Sequence, residues 1–282
     1  MIEKDIHWFP GHMKKAQEAL VDKIKIVDVV IEILDARAPF SSRNPFLEKL
    51  AINKPRLIIL NKSDLAERLS EDKIAELKNS PLDLVVYLNA HNSKSYSEIS
   101  KSIEALGKTK NDKYFAKGMK RQPIRAVIVG IPNVGKSTII NLLSKSNKAG
   151  VANTPGFTKG QQWIKVNESF ELLDTPGILP SKYDDKEVSK KLALIGAIKE
   201  ETLPLSFLCE ELINILKTKY LNNLNNHFDI KFASEDEYSA ILTKIAFKMG
   251  FISKNNEPNI DRCEKYLLKV FKNGELGKVM ID

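Results

Sequence analysis

The chain reads as a doubly wound α/β domain with a mostly parallel sheet, followed by a small all-helical domain. Short β-branched or aliphatic runs each end at a polar cluster, with helix-like patterns between them. Beyond about residue 180 such runs stop and only helical periodicity remains. The charge divides at the same place. Of the formal net charge of +8, all lies in residues 1–180, with 28 Lys and Arg against 20 Asp and Glu, whereas residues 181–282 hold 16 of each.

The strands are expected at 27–36 (VDVVIEILDA), 55–61 (PRLIILN), 83–90 (DLVVYLNA), 124–130 (IRAVIVG) and 169–174 (SFELLD). QWIKV at 162–166 fits an antiparallel neighbour of the last. Continuous apolar runs suit parallel strands covered by helices on both faces. Helices are expected near 11–25, at 71–79 after Ser70, at 96–106 after Ser95 with Glu98 completing a capping box, and from Lys136 to Lys145. In the second domain, patterns at 186–199, 204–220, 235–249 and 260–272 predict helices, with Ser234 and Glu237 as a capping box and Gly250 and Gly274 as C′ glycines. The expected domains are therefore 1–180 and 181–282, with residues 101–125 as a basic linker in the first.

A length of 282 residues accommodates one or two domains, and 43% hydrophobic residues exclude wholesale disorder. No uncharged apolar run is long enough to cross a bilayer, and the start, MIEKDIHWFPGHMKK, lacks the apolar stretch of a secretory signal. Cys209 and Cys263 sit among apolar neighbours and read as small buried hydrophobes in a reducing, cytoplasmic protein. The linker carries eight cations against Glu104 and Asp112. Such a segment is either a solvated surface or a contact for a polyanion such as RNA.

Residues 130–137, GIPNVGKS, match G-x-x-x-x-G-K-[ST] between a predicted strand and a predicted helix. In that setting Gly130 and Gly135 let backbone N–H groups wrap phosphates, helped by the helix N-terminus. Lys136 would contact the β- and γ-phosphates and Ser137 would ligate Mg²⁺, with Asn133, Val134 and Thr138 completing the loop. Asp174-Thr175-Pro176-Gly177 follows a strand as D-x-x-G, which places Asp174 on Mg²⁺ through water and the Gly177 N–H near the γ-phosphate. Between them, residues 153–158 (NTPGFT) are either a Pro-Gly turn or a switch in which Thr158 closes over Mg²⁺.

Residues 61–64, Asn61-Lys62-Ser63-Asp64, match N-K-x-D at the end of a strand. The Asp64 carboxylate can accept from both N1–H and the exocyclic amine of guanine, a donor pair that adenine lacks. The Lys62 stem can cover the base, Asn61 can reach N7 and the phosphate loop, and Asn89-Ala90 stands where a second base-contacting loop belongs. These motifs predict a GTP- or GDP-binding P-loop GTPase. Their order is permuted, because the base reader precedes the phosphate loop. The D-x-x-G segment then leads directly into the helical domain, so nucleotide state could act on that domain.

With Trp8-Phe9-Pro10-Gly11-His12-Met13, Asp35-Ala36-Arg37-Ala38-Pro39, NKSD, GIPNVGKS, PGFT, DTPGI and Gly274-Glu275-Leu276-Gly277, the chain resembles the circularly permuted GTPases. Within them it is similar to the ribosome biogenesis GTPase A (YlqF) family along its whole length. The resemblance implies a GTPase acting late in large-subunit assembly and stimulated by the pre-ribosomal particle. It implies rRNA and ribosomal proteins as partners rather than DNA or membrane, and an RNA-binding helical domain. Zero net charge in 181–282 sits awkwardly with the last point, though Lys265, Lys269 and Lys272 share one helix face. Ile178 stands where many GTPases have a water-orienting glutamine. The resemblance assigns that task to His12, which otherwise reads as a helix-capping residue, and assigns K⁺ to Asn133, which otherwise shapes the loop. The alternative function is an RNA-binding module whose nucleotide is regulatory.

Overall fold

The computed structural model describes residues 11–92, 94–145, 163–173, 175, 185–199 and 203–282, with side chains of the first helix described from residue 17 onward. The described residues form two compact units, one within Met1–Asp64 and Arg68–Lys182, the other within Leu65–Glu67 and Tyr183–Asp282.

The first unit is built on six strands: β1 (Val29–Asp35), β2 (Arg56–Asn61), β3 (Leu84–Leu88), β4 (Ile124–Val129), β5 (Trp163–Lys165) and β6 (Phe170–Leu173). Their order in the sheet is β3-β2-β1-β4-β6-β5, all parallel except β5 against β6. Every residue of β1 and β2 is buried, as continuous apolar runs between two helical layers require. Around the sheet lie α1 (Gly11–Ile26), α2 (Pro45–Leu50), α3 (Glu71–Leu77), α4 (Lys94–Ala116) and α5 (Lys136–Lys145). Leu20 and Ile24 of α1 pack with Val30, Val127, Val129 and Leu173 of the strands in one apolar cluster.

Two local expectations need correction. The segment 101–125 is no linker for most of its length, since α4 runs unbroken to Ala116. Ile99, Ile103 and Gly107 continue one buried stripe at helical spacing, and no breaker intervenes before Gly118. Gly107 lets the helix lie close to the sheet, because a Cβ there would stand 2.2 Å from Ile124 Cδ1. Ser95 is not the cap of this helix. Its hydroxyl donates to Asn89 O, while the Asn92 side chain accepts from Lys94 N at 3.0 Å, so the helix starts two residues early. Ser70 precedes α3 without making a side-chain capping bond. Helix α2 escaped the sequence reading, although Asn44-Pro45 is a cap followed by an N1 proline, and Asn44 Oδ1 accepts from Phe46 N at 3.0 Å.

A buried ion pair network holds the start of β2. Arg56 donates to Asp83 and to Glu32 of β1, and all three side chains are at most 3% exposed. Burial pushes the Glu32 carboxyl above its ordinary value, against the charges of Arg43 and Arg56.

The second unit comprises α6 (Lys186–Leu194), α7 (Leu205–Lys219), α8 (Leu221–Phe228), α9 (Tyr238–Lys248) and α10 (Ile260–Asn273). The sequence reading missed α8. The capping box at Ser234 does not form, since α9 begins at Tyr238 with Glu237 as its N-cap and the Ser234 hydroxyl bonds Glu235. Gly250 and Gly274 do adopt left-handed conformations after α9 and α10. Cys209 and Cys263 are buried and free. Of the Lys265, Lys269 and Lys272 stripe, Lys265 pairs with Asp261 on its own helix. Leu65–Glu67 belongs to this unit through hydrogen bonds: Val279 N donates to Leu65 O at 3.0 Å, and the Tyr220 hydroxyl donates to Glu67 at 3.1 Å.

Candidate functional site: a guanine-nucleotide pocket

Parallel pairing brings the strand ends to one sheet edge. Asp35 of β1 lies opposite Asn61 of β2, and Asn61 lies opposite Leu88 of β3. The turn after β4 carries Gly130 to Gly135 toward the same edge. In an open α/β sheet this is where ligands bind.

Asn61 joins three of these turns. Its Nδ2 donates to Val134 O at 2.8 Å, and its Oδ1 accepts from Ala90 N at 3.2 Å. One buried amide therefore links the end of β2 to the phosphate loop and to the loop after β3. Lys62 makes a second link: its Nζ donates to Asp35 at 2.8 Å and to Asn133 O at 3.1 Å. Both Lys62 and Asn133 hold left-handed backbone, at φ 59° and 62°. Lysine keeps such a conformation only where surrounding bonds hold it, whereas asparagine adopts it more readily.

Asp35 is 0% exposed and also accepts from Arg37 through both the backbone and the guanidinium. Burial alone would raise the Asp35 carboxyl. The hydrogen bond and charge of Arg37, then those of Lys62, hold it below the ordinary value. The stretch 35–37 shapes the turn after β1, and it also anchors Lys62 of the N-K-x-D turn. The sequence reading missed that second role. Its visible signal was an aspartate at a strand's last position, in register with the asparagine of N-K-x-D.

The phosphate loop is tight enough to need its glycines. A Cβ at Gly130 would stand 2.6 Å from Ile33 O, and one at Gly135 would stand 2.2 Å from Asn61 Nδ2. Lys136 opens α5 with its Nζ donating to Ile131 O at 2.7 Å, inside the loop that phosphates would fill. Ser137 is exposed in the same first turn, and Thr138 is half-buried beside it. Asp64 and Asn89 flank the base side, with Asp64 exposed and Asn89 half-buried. Asn89 Oδ1 accepts from His91 N, which fixes the turn before α4.

A backbone cradle, a buried lysine and an N-K-x-D turn thus meet at one edge. A family model described as 50S ribosome-binding GTPase matches residues 125–233, which includes the phosphate loop and leaves N-K-x-D outside. Ribosome biogenesis GTPase A of Bacillus cereus is 40% identical over 278 residues, covering 98% of this chain and 93% of that protein. The chain belongs to the ribosome biogenesis GTPase A family. The Mycoplasma pneumoniae protein described as a probable ribosome biogenesis GTPase A is 34% identical, covering 98% of this chain and 96% of its own. A GDP-bound structure of TM YlqF aligns with a TM-score of 0.63 at 25% identity, covering 94% of this chain and 98% of that one.

As a member of this family the chain is a GTP-hydrolysing enzyme. Of the residues expected at the site, Asn61, Lys62, Asp64, Asn89, Ala90 and the loop Asn133–Thr138 are described. Thr158, Asp174, Gly177 and Ile178 lie outside the described residues, as does the side chain of His12. Between Asp174 and Pro176, Thr175 is described: its hydroxyl donates to Ile128 O and so ties the chain after β6 to β4. Among the described residues, no helix is long and apolar enough to cross a membrane.

Proposed function

We propose that this chain is a GTP-driven assembly factor for the large ribosomal subunit, acting late in its maturation in the cytoplasm, with hydrolysis stimulated by the particle itself. The carrying observation is the pair of links from Asn61 to Val134 and from Lys62 to Asn133, which join base reading to the phosphate loop. With them stands the full-length similarity to ribosome biogenesis GTPases. A role in ribosome assembly follows from that family.

In this reading Asp64 accepts from guanine N1–H and its amine, the Lys62 stem covers the base, and Ala90 closes the base side. The N–H groups of 133–138 and the Lys136 ammonium hold the phosphates. The loop fits a magnesium-bound nucleotide: its two glycines leave a backbone cradle, and the Ser137 hydroxyl is exposed at its rim. Ser137 and Thr158 would ligate Mg²⁺, with Asp174 holding it through water, and the ion would offset charge on the phosphate oxygens. The Gly177 N–H senses the γ-phosphate, Asn133 offers a K⁺ ligand, and His12 orients the attacking water in place of the missing glutamine.

The test compares GTP turnover with and without purified large ribosomal subunits. Stimulation that is lost in His12→Ala, with GTP affinity kept within a few-fold, is expected. Equal turnover with and without subunits would favour a regulatory nucleotide on an RNA-binding module.

A further inference from the structure

We infer that the C-terminal end of α4 is a contact site for single-stranded RNA, with Phe115 as the stacking platform and the lysines around it as phosphate partners. The inference deepens the assembly-factor reading, and rests on it for the choice of RNA among polyanions.

Helical geometry sorts the residues of α4 into two poles. Ile99, Ile103 and Gly107 are buried against the sheet. At 100° per residue Lys101, Lys108 and Phe115, spaced by seven, fall together on the opposite side. All three are exposed, and Phe115 is 77% exposed. Lys110, by contrast, points inward and is used structurally, donating to Asp28 at 2.6 Å and to Pro123 O at 3.2 Å. Thus the helix commits its inward lysine to the fold and keeps the others outside.

The end of the helix is also fixed. Gly118 N bonds Phe115 O at 2.9 Å and Met119 N bonds Tyr114 O at 3.0 Å, with Gly118 left-handed at φ 69°. Gln122 N bonds Asn111 Oδ1 at 3.1 Å, which folds the following segment back along the helix. Lys117, Lys120 and Arg121 therefore stay near the last turn of α4, whose exposed sides carry Phe115 and, at a different angle, Lys113. From Lys108 to Arg121 there are six cations and one carboxylate, Asp112. Among the described residues, no carboxylate pairs with Lys108, Lys113, Lys117, Lys120 or Arg121, and no ring or cation partners Phe115.

The helix dipole accounts for lysines near a C-terminus, but it gives no reason to leave a phenylalanine in water. An exposed ring among unpaired cations is the combination that binds single strands: the ring stacks on a base and the cations take the backbone. A membrane surface fits less well, since an interfacial helix presents a broad apolar face and that of α4 is covered by the sheet. A protein surface would meet several unpaired charges here, which interfaces disfavour at their cores. RNA duplexes hide their bases, so the ring argues for an unpaired stretch.

The experiment titrates the full chain, loaded with GDP, into a fluorescent uridine-rich RNA and follows anisotropy. Phe115→Ala is expected to weaken binding roughly 5- to 150-fold, while Phe115→Trp retains it. Lys113→Glu with Lys117→Glu is expected to lower the salt dependence by about 0.7 in log–log slope for each phosphate that the variant no longer neutralises. Circular dichroism and GDP affinity should be unchanged in all three variants. Equal affinity of wild type and Phe115→Ala for the single strand overturns the inference. So does a loss on Phe115→Ala that is the same for an RNA duplex, or that appears only with phosphatidylserine/phosphatidylcholine vesicles. The assay contains no ribosomal subunits, so its failure leaves particle-stimulated hydrolysis intact, and the absence of stimulation leaves the RNA titration intact.

Discussion

Asn61 and Gly135 occupy space that only a glycine can share, since a Cβ at 135 would come within 2.2 Å of Asn61 Nδ2. That nitrogen is the donor to Val134 O. The phosphate loop and the base reader are distant in sequence, so this bridge is what the fold uses to hold them at a set distance. Gly135→Ala should therefore damage both halves of the site at once. The backbone at φ 104° adds strain of about 1–3 kcal/mol, and displacing Asn61 leaves Val134 O and Ala90 N short of a partner at a similar cost each. We expect affinity for a fluorescent GDP analogue to fall at least about tenfold. Unchanged affinity would mean that the bridge is dispensable.

Asp35 yields a prediction about acid stability. Its folded carboxyl lies below the ordinary value, so the stabilisation it supplies is present above an unfolded pKa of about 3.9 and is lost as pH falls through the lower folded value. Asp35→Asn leaves Arg37 buried at 3% exposure without its carboxylate. That should cost about 3–5 kcal/mol at pH 7 in urea unfolding. The gap between wild type and variant should narrow below about pH 4, as wild-type Asp35 takes up its proton. A gap independent of pH down to acid unfolding would contradict the charged role of Asp35.

The sheet was legible because its strands are apolar runs that end at polar turns, and each observed strand falls inside its expected range. The phosphate loop and N-K-x-D were legible because glycines, lysine and aspartate at fixed spacing leave few other uses. What escaped has a physical pattern. Arg56, Glu32 and Asp83 are charges inside or beside apolar strands, and only the three-dimensional pairing shows that they satisfy one another. The true extent of α4 escaped because lysine-rich sequence reads alike as linker and as exposed helix face, and the deciding residues were only Ile99, Ile103 and Gly107. The capping boxes at Ser95 and Ser234 failed because a serine three residues before a glutamate is common, and neighbouring polar side chains compete for the same backbone groups.

The base reader can be tested by exchanging its acceptor. In the proposed pose the exposed Asp64 carboxylate accepts from two guanine donors. Asp64→Asn presents one acceptor and one donor instead, which suits xanthine, whose C2 position carries a carbonyl. The ratio of GTP to xanthosine triphosphate affinity should swing by at least about a hundredfold in competition titrations. Because Asp64 is exposed, thermal stability should hardly move. A parallel loss of both nucleotides would place Asp64 in loop structure rather than base reading.

Asn133 separates loop shaping from ion binding. Its backbone is left-handed at φ 62°, and its carbonyl accepts from Lys62 Nζ. Glycine tolerates that conformation and keeps the carbonyl, so Asn133→Gly preserves the loop and deletes only the side-chain amide. If the amide helps hold K⁺ beside the phosphates, wild-type hydrolysis should run faster in KCl than in NaCl at equal ionic strength, because a fixed positive charge there stabilises the transition state. In Asn133→Gly the ratio of the two rates should fall to about one, with GDP affinity retained. A wild-type ratio of one, or a ratio that survives the substitution, would leave Asn133 as a residue chosen for its backbone. Asn133→Ala provides the converse control: the side-chain amide is again absent, but the left-handed backbone is now disfavoured. A loss of GDP affinity in the alanine variant that the glycine variant does not share would isolate the backbone contribution.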